Sequence, residues 1–228
     1  MVEGTHIGIG IYSLAEAEAL TNTSARSIRR WLLGYRYKID ERYHAMPAVW
    51  HGDIVKVDSQ VALSFLDLME IRFIKAFREH HVSWPAIREA AALACKMFND
   101  GHPFTRGRFR TDGVRIFQQI KEEGEVKLFD MNRQSWVFNE IVSPSLYAGV
   151  EFEHDQVARW FPLFPKKSVI IDPKISFGRP TVLRGRVPTE VLAAAATAEG
   201  SAVAAARWYN VSPATVTAAV EFEKRLAA

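Results

Sequence analysis

The stretch that decides the fold runs Val169-Ile170-Ile171-Asp172-Pro173-Lys174-Ile175-Ser176-Phe177-Gly178-Arg179-Pro180-Thr181-Val182-Leu183-Arg184-Gly185-Arg186-Val187-Pro188-Thr189-Glu190-Val191-Leu192 and continues helically to Leu226. Val169 to Ile171 is a short β-branched run that Asp172-Pro173 interrupts, and Phe177-Gly178-Arg179-Pro180 turns the chain before Thr181-Val182-Leu183 extends again. Helix signals follow. Thr189 is placed to cap a helix that reaches Ala198 and stops at Gly200, Ser201 to cap a second through Trp208, and Ser212 with Pro213 to open a third. Val216, Ala219, Val220, Glu223 and Leu226 share one face of that third helix, which is amphipathic except at Glu223. Tyr209-Asn210-Val211 is the tight turn before it, so the expected unit is three short helices of the helix-turn-helix type.

Upstream, Ser13 and Glu16 form a capping box that starts a helix ending near Leu20. Thr21-Asn22-Thr23 is a turn, and Ser24 caps a second helix that runs through Leu33 to Gly34. Ile28, Trp31 and Leu32 fall on one side of it and must pack inward, which leaves Arg26, Ser27, Arg29 and Arg30 on the other. From Arg26 to Arg42 the basic residues Arg26, Arg29, Arg30, Arg36, Lys38 and Arg42 outnumber the acidic Asp40 and Glu41. A short helix, a tight turn and an arginine-studded second helix match a recognition helix, whose arginines reach phosphates and guanine acceptors in the major groove. The candidate DNA contacts are Ser24, Arg26, Ser27, Arg29, Arg30, Tyr35, Arg36 and Lys38.

Val49 to Val55, with Gly52-Asp53 between β-formers, is the expected hairpin of a wing. A long amphipathic helix is expected from Asp58 or Ser59, carrying Leu63, Leu66, Met69, Phe73, Ile74 and Phe77. Another, capped by Ser83 with Pro85 in its first turn, ends at Asn99-Asp100-Gly101. This order resembles the layout of MerR-like winged domains.

Between Phe104 and Pro165 the texture turns β-rich. Asp112-Gly113 signals one hairpin between Arg108–Thr111 and Val114–Phe117, and Val126–Phe129 with Ser135–Phe138 a second. Arg106, Arg108, Arg110 and Arg115 cluster here, either as contacts to DNA backbone or an acidic partner or as a solvated strand face. The aromatic segment Arg159 to Pro165 is either a packing surface or a partner surface.

The pattern D-P-x-I-x-x-G-x-P, followed by R-V-P-T-E-V-L, G-S and A-R-W-Y, resembles an antitoxin-associated family; the matching positions are Asp172, Pro173, Gly178, Pro180, Arg186, Pro188, Gly200, Tyr209, Val216 and Ala219. Where that family reads G-T-R before its first helix, this chain reads Arg184-Gly185-Arg186. Long members with two modules are VapB-type antitoxins paired with PIN-like VapC ribonucleases. The resemblance therefore implies a PIN-like toxin partner and operator DNA, with Arg108, Arg110, Trp160, Phe161, Phe164 and Arg186 as candidate partner contacts.

Composition narrows the classes. At 228 residues, 48% hydrophobic and 24% charged, the chain is an ordinary globular one with room for one large or two small domains. A single cysteine, Cys95, within an alanine-rich helical run, excludes an internal disulfide framework and is expected as a small core residue. Net charge +3 and pI near 9.0 are only weakly basic, so any case for nucleic acid rests on local clustering. No apolar run approaches the ~18 residues a membrane helix needs, and no signal peptide is visible, so a cytoplasmic protein is expected. Among the seven scattered histidines there is no H-E-x-x-H and no paired cysteines for zinc, and Gly8-Ile9-Gly10 opens no dinucleotide loop. Asp53 with Asp58, and Glu151, Glu153 with Asp155, are expected as surface charge rather than metal ligands, and no cofactor is expected.

The fold expectation is therefore mainly α with a small β component: an N-terminal winged helix-turn-helix over residues 1–102, a β-rich connector over 103–168 and a C-terminal three-helix, helix-turn-helix-like module over 169–228. The functional expectation is a non-catalytic, dimeric antitoxin that neutralises a PIN-like ribonuclease and represses its own operon. Two alternatives stay open: a stand-alone transcription regulator with a small-molecule pocket in the middle sheet, and a purely structural interaction protein.

Overall fold

The computed structural model describes residues 8–54, 60–106, 108–111, 115–122, 125–137 and 146–227. Helix predominates among them, and the strands fall into small antiparallel sheets. The described residues divide into two compact units, one of 12–137 with Leu146 and 154–157, the other of 8–11, 147–153 and 158–227.

The first unit opens with strand β1 (Tyr12–Ser13) and helix α1 (Leu14–Thr21), whose capping box closes as expected: Glu16 N–H donates to Ser13 Oγ and Ser13 N–H to Glu16 Oε2. Helix α2 (Ala25–Leu33) is capped by Ser24 and ends at Gly34. Next comes a hairpin of β2 (Tyr35–Ile39) and β3 (Arg42–Met46), with Tyr35 opposite Met46 and Ile39 opposite Arg42. Asp40 and Glu41 both adopt positive φ, which is the two-residue turn whose twist suits a hairpin. The hairpin expected at Val49 to Val55 is displaced to this position. Val49 and Trp50 are buried instead, Val49 N–H donates to Trp31 O, and the Trp50 indole N–H donates to Asp67. Val55 and Asp58 lie outside the described residues.

Strand β4 (Ala62–Leu63) pairs with β1, and helix α3 (Phe65–Glu79) starts only at Ser64, later than Asp58 or Ser59. The later start has a local cause. Asp67 N–H donates to Ser64 Oγ and Ser64 N–H to Asp67 Oδ2, a second capping box that sets the first turn, so Leu63 is a strand residue. Helix α4 (Trp84–Phe98) starts at Ser83 with Pro85 in its first turn and ends at Asn99, as expected. Its Cys95 is half-buried, and burial pushes the thiol up to about 11. Strands β5 (Arg108–Thr111), β6 (Ile116–Glu122), β7 (Glu125–Asp130) and β8 (Ser135–Val137) form one antiparallel meander in that order, with β5 paired to β6 and β7 to β8 as expected; the Asp112-Gly113 turn, Val114 and Phe138 lie outside the described residues. The core here is aromatic. Phe104 meets Phe77 at 5.0 Å and Phe109 at 5.3 Å, both edge-on, and all three are fully buried.

Strand β9 (Val150–Glu153) pairs with β10 (Gln156–Trp160), and in the second unit Trp160 continues onto Ile171 beside β11 (Val169–Ile170), which pairs with β12 (Thr181–Val182). Between β11 and β12 the D-P motif is a set of turns: Asp172 is buried and accepts from Lys174 N–H, while Pro180 O accepts Thr189 N–H. Helices α5 (Thr189–Ala198), α6 (Ala202–Trp208) and α7 (Pro213–Leu226) enclose a core of Val182, Leu192, Ala205, Ala206, Val216 and Ala219. Thr189 does not cap α5. The cap position is Pro188, and the Thr189 hydroxyl points back to Pro180 O and Glu223, which explains an acidic residue on the apolar face of α7. Phe222, unremarked in the periodicity, is buried on the same helix.

Candidate nucleic-acid interface

Helix α2 has two unlike faces. Ile28 and Leu32 are buried, Trp31 is half-buried against Trp84 at 5.3 Å between ring centroids, and Arg26, Arg29 and Arg30 are exposed. Ser24 and Ser27 sit at its start with their hydroxyls 2.9 Å apart, Ser24 Oγ also accepting Ser27 N–H.

The hairpin follows after one residue. Gly34 has φ +71° and ψ −177°, and a Cβ at that position would stand 2.5 Å from Met46 O, so glycine is required for the hairpin to fold directly off the helix end. Tyr35 lies under the Arg30 guanidinium, 4.0 Å from it to the ring centroid, which ties the hairpin base to α2. Tyr37 stacks on its cross-strand partner His44 at 5.4 Å. Arg36 and Lys38 share the other face with Tyr43, which is 77% exposed, and Lys38 is held by Glu41 at 2.6 Å. All eight residues expected at the interface thus lie on α2, its cap and β2. Arg42 and Tyr43 add to that surface, and the signal that would have placed Tyr43 there is its register opposite Lys38.

The same unit holds a buried polar cluster around α3. Asp67 Oδ1 accepts from the Trp50 indole at 2.7 Å and sits 3.1 Å from His102 Nε2; Asp53 Oδ2 is 3.6 Å from the same nitrogen. His102 N–H and the Arg106 guanidinium both donate to Asp100. One turn along α3, Glu70 Oε1 accepts Phe104 and Thr105 N–H, while Oε2 is buried with no partner among the described residues. Burial pushes the Glu70 carboxyl up to about 8, against the pull of His102 and two backbone amides. Burial alone would lower the imidazole, but the Asp67 hydrogen bond and the nearby carboxylates raise it to about 9.

Asp53, Asp67 and His102 are the group among the described residues with the spacing to hold a metal ion. Asp67 already accepts three N–H donors, from Trp50, Ser64 and His102, so the trio is complete as an ion pair that clamps the loops after Val49 and after α4 onto α3.

The residues expected at a partner surface are scattered. Trp160 and Phe161 are 7% and 4% exposed and belong to the core, whereas Phe164 is 52% exposed. Arg108 and Arg110 flank buried Phe109 on β5, and their side chains lie outside what the structure describes. Arg106 and Arg115 are engaged within the chain, by Asp100 and Asp130. Arg186 is exposed with φ +52°. Glu151 and Glu153 are bound by Lys167, Arg159 and Lys174, which accounts for them without a metal.

No family model matches the chain, and no curated protein matches it. The X-ray crystal structure of Rv2018 from Mycobacterium tuberculosis is similar in fold, with a TM-score of 0.63 at 18% sequence identity over 94% of this chain and 99% of that one. No described helix is long and apolar enough to cross a membrane.

Proposed function

We propose that this chain is a DNA-binding antitoxin: it reads operator DNA through a winged helix-turn-helix formed by α1, α2 and the β2–β3 hairpin, and it neutralises a PIN-like ribonuclease. The observation that carries the DNA half is the two-faced α2, with Arg26, Arg29 and Arg30 exposed opposite buried Ile28 and Leu32 and a basic hairpin directly behind. In this reading the helix enters the major groove, and the hairpin lies along the backbone with Arg36, Lys38 and Tyr43. A dimer reading two half-sites fits that mode. The toxin half rests on the D-P-x-I-x-x-G-x-P resemblance, and it requires a PIN-like ribonuclease gene beside this one.

The test is a titration of the purified protein against its own upstream DNA and a shuffled fragment, each at two salt concentrations. About a thousandfold preference for the native fragment, with affinity falling steeply as salt rises, is the expected result. Equal, weak binding of both fragments overturns the operator reading.

One observation favours a second reading, a stand-alone regulator responding to a small molecule. An open cleft of about 500 Å³ lies beside the start of α4, lined by Ser83, Pro85, Glu89, Arg115, Asn132 and Arg133. A ligand that raises the melting temperature with no ribonuclease present supports that reading.

A further inference from the structure

The turn between Val182 and Val187 and the turn between α6 and α7 lie against each other. Val182 N–H donates to Val187 O and Leu183 N–H to Ser168 O, so Leu183 to Arg186 form the tip of a pinned hairpin. Gly185, φ +92°, is pressed onto the α6–α7 turn: a Cβ there would stand 2.5 Å from Val211 Cγ1. Val211 N–H in turn donates to Ala206 O, and Tyr209 N–H to Ala205 O, which fixes the second turn. Leu183, Trp208 and Tyr209 are 44%, 75% and 37% exposed, and Arg184, Arg186 and Arg207 around them are exposed as well. None of these arginines has an ion pair with a described residue.

From this we infer that the patch of Leu183, Arg184, Arg186, Arg207, Trp208 and Tyr209 is the docking surface for an acidic protein partner. Resting on the reading above, that partner is the PIN-like ribonuclease. Exposed Trp, Tyr and Leu carried with three exposed arginines on two turns in contact is the composition of a protein interface, where Trp, Tyr and Arg supply most of the binding energy. The turns that carry it are held by backbone hydrogen bonds, so little ordering remains to be done on binding. A second copy of this chain is a poor occupant, because a two-fold contact sets three arginines against three arginines. Nucleic acid is disfavoured by the neighbouring α7, whose Thr215, Thr217, Glu221 and Lys224 offer no net positive charge.

The experiment titrates the full chain, and separately its Trp208→Ala and Arg186→Glu variants, with the purified PIN-like ribonuclease by calorimetry; operator DNA and sedimentation are measured in parallel. The expected result is tight binding by the wild type and at least tenfold weaker binding by each variant, with unchanged melting temperature and DNA affinity. If the variants bind the ribonuclease as the wild type does, the docking proposal falls and the antitoxin reading stands. If the wild type does not bind it, both fall. If the variants instead lose operator affinity or self-association, the patch is a nucleic-acid or dimer surface and the proposal is overturned.

Discussion

His102 and Asp67, 35 residues apart in sequence, meet in the interior of the first unit with Nε2 3.1 Å from Oδ1, and both side chains are almost wholly buried. A charged imidazole facing a carboxylate in that setting ties folding to pH. Below about 6.5 the imidazole is charged folded or unfolded, and its pairing with Asp67 contributes fully; between 6.5 and about 9 only the folded chain keeps the proton, so stability declines as pH rises. Glu70, raised from 4.5 to about 8 by burial, changes stability in the same direction. Urea unfolding should therefore lose stability, on the order of a few kcal/mol, between pH 6.5 and 9. His102→Gln should flatten much of that slope, and an unchanged slope in the variant rules out the imidazole as its source.

Arg26, Arg29 and Arg30 are exposed and do not build the core. Replacing all three by alanine should leave the circular dichroism spectrum unchanged and lower the melting temperature only slightly, through the lost Arg30–Tyr35 contact. On the operator reading, the slope of log affinity against log salt should become shallower by about three, roughly one per lost phosphate contact. A slope equal to the wild type's would remove α2 from the interface.

Gly34→Ala tests how the hairpin is attached. The added Cβ meets Met46 O at 2.5 Å in a conformation that is nearly glycine-only, which should cost roughly 2 kcal/mol. Amide exchange should accelerate in β2 and β3 more than in α4. Uniform exchange rates across the chain, or no loss of stability, would show that the hairpin tolerates a side chain there.

Thr189→Val keeps the shape of the side chain but removes the hydroxyl that lies within hydrogen-bond distance of both Pro180 O and Glu223. Glu223 is half-buried on α7, so a loss of about 1–2 kcal/mol is expected. The double variant with Glu223→Leu should recover part of it. Additive losses in that cycle would mean the two residues do not interact.

Local chemistry carried much of this fold. Ser13, Ser24, Ser83, Ser201 and Ser212 were recognisable as helix starts because a cap needs only its own side chain and the amides two or three residues on. The Ser64-x-x-Asp67 box was equally local, and reading it would have placed the start of α3 correctly. The two faces of α2 followed from helical spacing alone.

The rest depended on partners far along the chain. The β2–β3 hairpin turns at Asp40-Glu41, which carries no Gly or Asn signal, and is held by its register and by Gly34 meeting Met46. Trp50, Asp67 and His102 come from three separate segments, and no spacing announces such a cluster, because burial and the unmet hydrogen bonds of buried groups brought them together. Trp160 and Phe161 show the converse. An aromatic run is the same string in a core and on a surface, and packing buried these two while leaving Trp208 in solvent.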